Sequence, residues 1–220
     1  RDFCLSRGLG DVYKRQLYNL IKPEELKKED LKRPKLRLPE GYTTFKDSNA
    51  RFIPHIEAMR YLTSRGITEE IIEKYKIGYT VSGDFAYRII VPSFNTEGAL
   101  NYFVARAWVQ NKMKYKNPTV PKDEIIFNEG LIDWEKDVYL VEGAFDGFFL
   151  ENSIVMLGKK MSKLLFENLY NRANGNVIIC TDGDAWKDGL KLYHELNGGR
   201  LYNKVKIVKL PGDKDICDLR

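Results

Sequence analysis

The feature that most restricts the fold of this 220-residue chain is a series of four short apolar runs in its second half. They read Val138-Tyr-Leu-Val141, Ile154-Val-Met-Leu157, Val177-Ile-Ile-Cys-Thr181 and Val205-Lys-Ile-Val-Lys-Leu210. Residues 144–152 between them have the pattern of a short helix. Ser162 is placed to cap another that runs to about Ala173 and stops at Asn174-Gly175, and a third covers about 186–197 before Gly198-Gly199. Short apolar strands joined by helical segments predict a parallel sheet covered by helices, because parallel strands need long crossovers and are buried on both faces. An α/β fold is therefore expected, its parallel sheet and flanking helices filling residues 136–220.

Residues 46–135 follow another pattern, expected to form a smaller α+β subdomain. Ile56, Met59, Tyr61 and Leu62 recur near helical spacing until Gly66, and Thr68 is a suitable N-cap for a second helix carrying Ile71, Ile72 and Tyr75. Arg88-Ile-Ile-Val-Pro92 and Leu100-Asn-Tyr-Phe-Val-Ala-Arg106 flank an Asn95-Thr-Glu-Gly98 turn, the pattern of a hairpin. Residues 17–45, dense in lysine, glutamate and proline, are expected to be a solvated linker. Asp11-Val-Tyr-Lys-Arg-Gln16 resembles one reading frame of a transposon-end adapter. Residues 1–16 are accordingly expected to be a non-native, adapter-derived segment, on a chain truncated at both ends.

Acidic residues follow three of the four apolar runs: Glu142 and Asp146, then Asp182 and Asp184, then Asp215 and Asp218. In an α/β sheet the carboxyl ends of the strands are where ligands bind. Asp146, four residues past Glu142, shares a face with the helix start, and an extended Asp182-Gly-Asp184 would point both carboxylates one way. Carboxylates gathered so closely repel one another unless a cation neutralises them. Oxygen donors without histidine or thiolate suit Mg2+ or Mn2+, and such ions beside phosphates serve phosphoryl transfer. Asp-Gly-Asp or Glu-Gly alone is a common turn; the joint order at strand ends carries the reading.

Composition excludes several alternatives. Cys4, Cys180 and Cys217 are far apart and form no Cys-x-x-Cys pair, so neither a zinc site nor a disulfide framework is expected. His55 and His194 are isolated and read as structural or surface residues. No apolar run approaches the ~20 residues that span a bilayer, and nothing reads as a secretory signal. A cytoplasmic protein without a membrane partner is expected. The formal charge of +5 falls to +3 when residues 1–16, with four basic and two acidic groups, are set aside, a mild bias toward a polyanionic partner.

Val138-Tyr-Leu-Val-Glu142-Gly-Ala-Phe-Asp146, Cys180-Thr-Asp182-Gly-Asp184 and Leu210-Pro-Gly-Asp-Lys-Asp215 resemble the three motifs of the TOPRIM domain. Tyr61-Leu-Thr-Ser-Arg65-Gly66, Arg88-Ile-Ile-Val-Pro92, Phe103-Val-Ala-Arg106 and Lys114-Tyr-Lys-Asn117-Pro118 are similar, in order and spacing, to the RNA polymerase core of DnaG-type bacterial and phage DNA primases. The resemblance spans about residues 50–218. It implies a nucleotidyltransferase that copies single-stranded DNA into short RNA primers from NTPs, with Glu142, Asp182 and Asp184 catalytic. These three, with Asp215, Asp146 and Asp218, would bind metal. Arg88, Arg106, Lys114 and Asn117 would face template or nucleotide phosphate, and a replicative helicase, fused or separate, would be a partner. Trp186-Lys187 stands where the family has a small Ala-Gly pair, which alters nucleotide approach or shifts the helix start toward Asp188-Gly189. Asp215-x-x-Asp218 has two residues between its acids where many primases have one. A TOPRIM nuclease or topoisomerase fragment, or a non-catalytic nucleic-acid-binding module, remains open at this level.

Overall fold

A computed structural model of the chain describes residues 36–212 and 214–219, and these fall in one compact unit. The segment 1–16 and linker residues 17–35 lie outside the described residues. Two four-stranded sheets share the unit, one antiparallel and one parallel.

The antiparallel sheet has the order β1-β2-β3-β4, with β1 Thr43–Thr44, β2 Gly78–Thr80, β3 Arg88–Phe94 and β4 Leu100–Ala107. The β3–β4 pair is the expected hairpin: Gly98, at φ +77°, closes its turn by donating to the Asn95 carbonyl. Helix α1, Ile53–Ser64, ends before Gly66 at φ +72°, and α2, Glu69–Lys74, is capped by the Thr68 hydroxyl accepting from the Ile71 amide at 3.4 Å. Beyond β4 the chain returns along its edge, with Ala107 N donating to Lys114 O and Lys116 N to Ala105 O. One boundary differs from expectation. Residues 36–45 are not a free linker, since Thr43–Thr44 pairs with β2, Phe45 is buried, and Leu36 and Leu38 pack on Ile90 and Phe103. Few as they are, those apolar side chains are enough to hold the segment down.

The parallel sheet comprises β5 Val138–Val141, β6 Ser153–Val155, β7 Val177–Cys180 and β8 Val205–Ile207, in the order β6-β5-β7-β8. Helix α3, Lys163–Arg172, joins β6 to β7; helix α4, Trp186–Leu196, joins β7 to β8. The Ser162 hydroxyl accepts from Leu165 N at 3.1 Å, as its position predicts. Period-two alternation divides the strands between two cores. Val138, Leu140, Ile154, Val177, Ile179 and Val205 pack under Leu165 and Leu169 of α3 and Leu192 and Leu196 of α4. Val141, Val155 and Cys180 face the other way, into a core shared with Leu62, Tyr79, Ile89 and Val91 of the antiparallel half. Helices therefore cover one face of the parallel sheet, and the antiparallel half covers the other.

This division follows from chain direction. From β6 onward the chain moves across the sheet one way, so right-handed crossovers put α3 and α4 on the same face; β5 to β6 runs the opposite way and its connection lies on the opposite face. That connection is too short for the helix expected at 144–152 and forms a 3₁₀ turn, Asp146–Phe149. Gly147 makes the tight path passable, because a Cβ there would meet Ser153 Oγ at 2.8 Å. The reversal of direction carries Asp146 toward the antiparallel half. The expected α/β architecture, a parallel sheet with helices preceded by a smaller α+β unit, is the one observed.

Candidate active site

β5 and β7 are neighbours although β6 lies between them in sequence, so the crevice at their carboxyl ends is the switch point of the sheet. Glu142 leaves β5 and Asp182 leaves β7 at that crevice. Glu142 is buried, its backbone carbonyl accepts from Gly158 N at 3.1 Å, and its side-chain Oε1 has no hydrogen-bond partner. Asp146 Oδ2 accepts from Gly143 N at 3.2 Å. Asp215 arrives on the loop after β8, drawn against the Asp182 loop by Gly183 N donating to Lys214 O at 3.0 Å. A Cβ on Gly183 would stand 1.9 Å from Gly212 O, so only glycine lets these two acid-bearing loops meet.

Glu142, Gly143, Asp146, Asp182 and Asp215 line one cleft of about 380 Å³, together with Arg65, Arg106, Lys114, Tyr115 and Asn117 from the first half. The acids feel each other. Burial first, then the Asp182 and Asp215 carboxylates, push the Asp146 carboxyl up to about 6. Burial followed by Asp182 raises Glu142, and burial followed by Asp215 and Asp184 raises Asp182, with Lys159 opposing both. Such mutual destabilisation, with one buried carboxylate oxygen left without a donor, fits a site that a divalent cation completes. Oxygen donors from Glu142, Asp146, Asp182 and Asp215 suit a hard ion such as Mg2+.

Two predicted ligands stand apart from these four. Asp184 does not share the direction of Asp182, because the segment is a 3₁₀ turn, Gly183–Ala185, rather than extended; its carboxylate is exposed at the rim, 3.9 Å from Lys159 Nζ. Asp218 is exposed and serves its own loop: its Oδ2 accepts from Asp215 N at 3.2 Å, while its amide donates to Asp215 Oδ1 at 2.9 Å. Helix α4 starts at Trp186, with no shift toward Asp188-Gly189; Gly189 lies inside the helix, where a Cβ would press on Thr181 Oγ1 at 2.7 Å.

On the opposite wall, Arg106 is buried, donates to the Tyr115 hydroxyl, and lies 4.8 Å over the Phe145 ring. Lys114 is exposed in the cleft, and Arg106 followed by burial depresses its pKa. Asn117 Oδ1 accepts from Ala105 N at 3.2 Å, and its amide, which also bonds the Tyr102 hydroxyl, has one further hydrogen to donate. Arg88 is a correction. It does not line the cleft: its buried guanidinium donates to Met113 O at 2.8 Å and Lys114 O at 3.2 Å, because β3 points it under the returning segment. It supports the loop that carries Lys114.

Sequence reasoning passed over three residues here. Arg65 closes α1 and lines the cleft; a basic residue just before a helix-ending glycine is its only local mark. Tyr115 sits between two lysines, one of which was singled out. Cys217 lies inside the last acidic motif, and its Sγ forms with Asp146 and Asp215 a group whose ligand atoms are all within 4.8 Å. Burial, then Asp146 and Asp215, push that thiol up to about 12.

An α/β sheet with carboxylates collected at its switch point, facing a basic antiparallel sheet, defines a carboxylate metal site on a two-part α/β scaffold. Solved structures with the same fold include DnaG primase catalytic cores. A DnaG catalytic core superposes with a TM-score of 0.65 at 20% identity, over 77% of this chain and 70% of that one. A DnaG primase catalytic domain bound to single-stranded DNA gives 0.63 at 20% identity, over 77% and 71%. The Aquifex aeolicus primase, comprising zinc-binding and RNA polymerase domains, gives 0.62 at 25% identity, over 74% of this chain and 52% of that one. No family model matches the sequence, and no curated protein matches it.

Proposed function

We propose that the chain is the catalytic core of a DNA primase, which copies single-stranded DNA into short RNA primers by metal-assisted nucleotidyl transfer. The observation that carries this reading is the meeting of Glu142, Asp146, Asp182 and Asp215 with Arg65, Arg106, Lys114 and Asn117 across one cleft. The fold supports it, and one structural neighbour was solved with single-stranded DNA bound. A divalent ion, when bound by the acids, assists the 3′-hydroxyl and steadies the departing pyrophosphate oxygen. Everything else is supplied by the chain. Lys114, Arg65 and the Asn117 amide bind phosphate oxygens of nucleotide and template from the wall opposite the acids, as point charges and directional donors respectively. Arg106, fixed by Tyr115 and Phe145, adds a positive charge that costs no reorganisation when the nucleotide arrives. Arg88 keeps the Lys114 backbone in place. Asp184, at the rim, is free to approach the site once Lys159 turns to another anion. A replicative helicase, fused or separate, is the partner the same reading implies.

The test is incubation with single-stranded DNA, NTPs and Mg2+. Labelled oligoribonucleotides are expected from the wild-type chain, and Asp182→Asn should abolish them while template binding persists. Primer synthesis by Asp182→Asn at the wild-type rate would sink the assignment. Cut DNA without primers would instead identify a nuclease.

A further inference from the structure

Buried beside the acids of the cleft is one ligand atom that a hard-cation site has no use for. Cys217 is buried at the start of the last 3₁₀ turn, Ile216–Leu219, and its Sγ lies 3.6 Å from Asp146 Oδ1 and 3.6 Å from the Phe145 carbonyl. The reciprocal amide-to-carboxylate bonds between Asp215 and Asp218 fix the turn, so the thiol is held in place rather than free to swing. Asp146 and Asp215 reach both the thiol and the cleft, and the cleft also holds the buried, unpartnered Glu142 Oε1.

We propose that Asp146, Asp215 and Cys217 form a site for a thiophilic divalent cation, of the Zn2+ or Cd2+ kind, that overlaps the carboxylate site and competes with Mg2+ for Asp146 and Asp215. The geometry favours such an ion. Zinc bonds of about 2.3 Å to sulfur and about 2.0 Å to oxygen, opened to a tetrahedral angle, separate the two ligands by about 3.5 Å. The observed Sγ to Oδ1 separation is 3.6 Å. Octahedral Mg2+, at about 2.1 Å, needs neighbouring ligands only about 3 Å apart and has no affinity for sulfur. Ligation breaks the Sγ–H bond and forms an Sγ–metal bond, the proton passing to the buffer. Glu142 Oε1 lines the same cleft but is not among the ligand atoms gathered within 4.8 Å, so solvent completes the ion's coordination.

The inference concerns binding and stands or falls apart from primer synthesis. The probe is Cd2+, titrated without Mg2+ into the full chain carrying Cys4→Ser and Cys180→Ala, so that Cys217 is the sole thiol. The readout is the ultraviolet charge-transfer band of a cadmium–thiolate bond. One band saturating at one Cd2+ per chain is expected. Cys217→Ser should abolish it, and Asp146→Asn or Asp215→Asn should weaken binding by about tenfold or more. Circular dichroism of each variant distinguishes ligand loss from unfolding, and the two Asn variants serve if Cys217→Ser does not fold. Absence of the band, or a band of unchanged affinity in both Asn variants, overturns the site. A chain that binds Cd2+ this way yet makes no primers leaves the site standing and removes the primase reading.

Discussion

Asp146 shows how one residue reports on the whole cleft. Its carboxyl, raised to about 6 by burial and by Asp182 and Asp215, holds its proton in the folded metal-free chain long after the unfolded chain has lost it at about 3.8. Between these values the unfolded state binds fewer protons, so stability falls as pH rises through about 4 to 6, and the loss is complete above. Replacing the acid by an amide removes that cost. Metal-free Asp146→Asn should therefore melt at least about 2–4 °C higher than wild type at pH 7.5, and the gap should close toward pH 4. Excess Mg2+ should narrow or reverse the gap, because the wild type, with all four acids, gains more from the ion. Melting curves of both proteins across pH check this; a gap independent of pH would mean that electrostatics is not its cause.

At the scale of elements, the loops after β7 and β8 matter more than the strands that deliver them. Gly183 is where they touch, and Gly183→Ala puts a methyl group against the Gly212 backbone, which cannot yield as a side chain would. Shifting Asp182 away from Asp215 by even about 1 Å should lower primer synthesis by about 100-fold, with helix and strand content unchanged by circular dichroism. Normal activity in that variant would show the two loops to be independent. The same loops mark the limit of what the chain discloses unfolded. Strand periodicity located β5 to β8, Ser162 and Thr68 marked two helix starts, and the acids stood out because they follow apolar runs. Side-chain direction was not legible past the strand ends. Asp184 was placed beside Asp182 by a period-two argument that fails once the chain turns into a 3₁₀ segment, and Arg88 was given an exposed role that its strand register turns inward. Cys217 was set aside with the other cysteines on their spacing, because a thiol meets ligand partners only through neighbours distant in sequence, here Asp146.

In the whole molecule, the parallel sheet supplies the anionic residues of the cleft and the antiparallel sheet, with α1 and the segment after β4, the cationic ones. Affinity for single-stranded DNA should accordingly fall with salt, and Lys114→Ala should reduce the slope of log affinity against log salt by ~0.7. Fluorescence anisotropy with an oligonucleotide at several salt concentrations measures it; an unaltered slope would take Lys114 off the template path. Because the charges lining the cleft are divided by sign between the two halves, with Lys159 the cation on the acidic side, an electric field runs across the gap. Under the proposed function a polyphosphate entering it would be turned with its anionic tail toward the arginine side, away from the acids. The shape of that field would then set the polarity of the bound substrate, and the acids, once neutralised by a cation, would accept a second negative end.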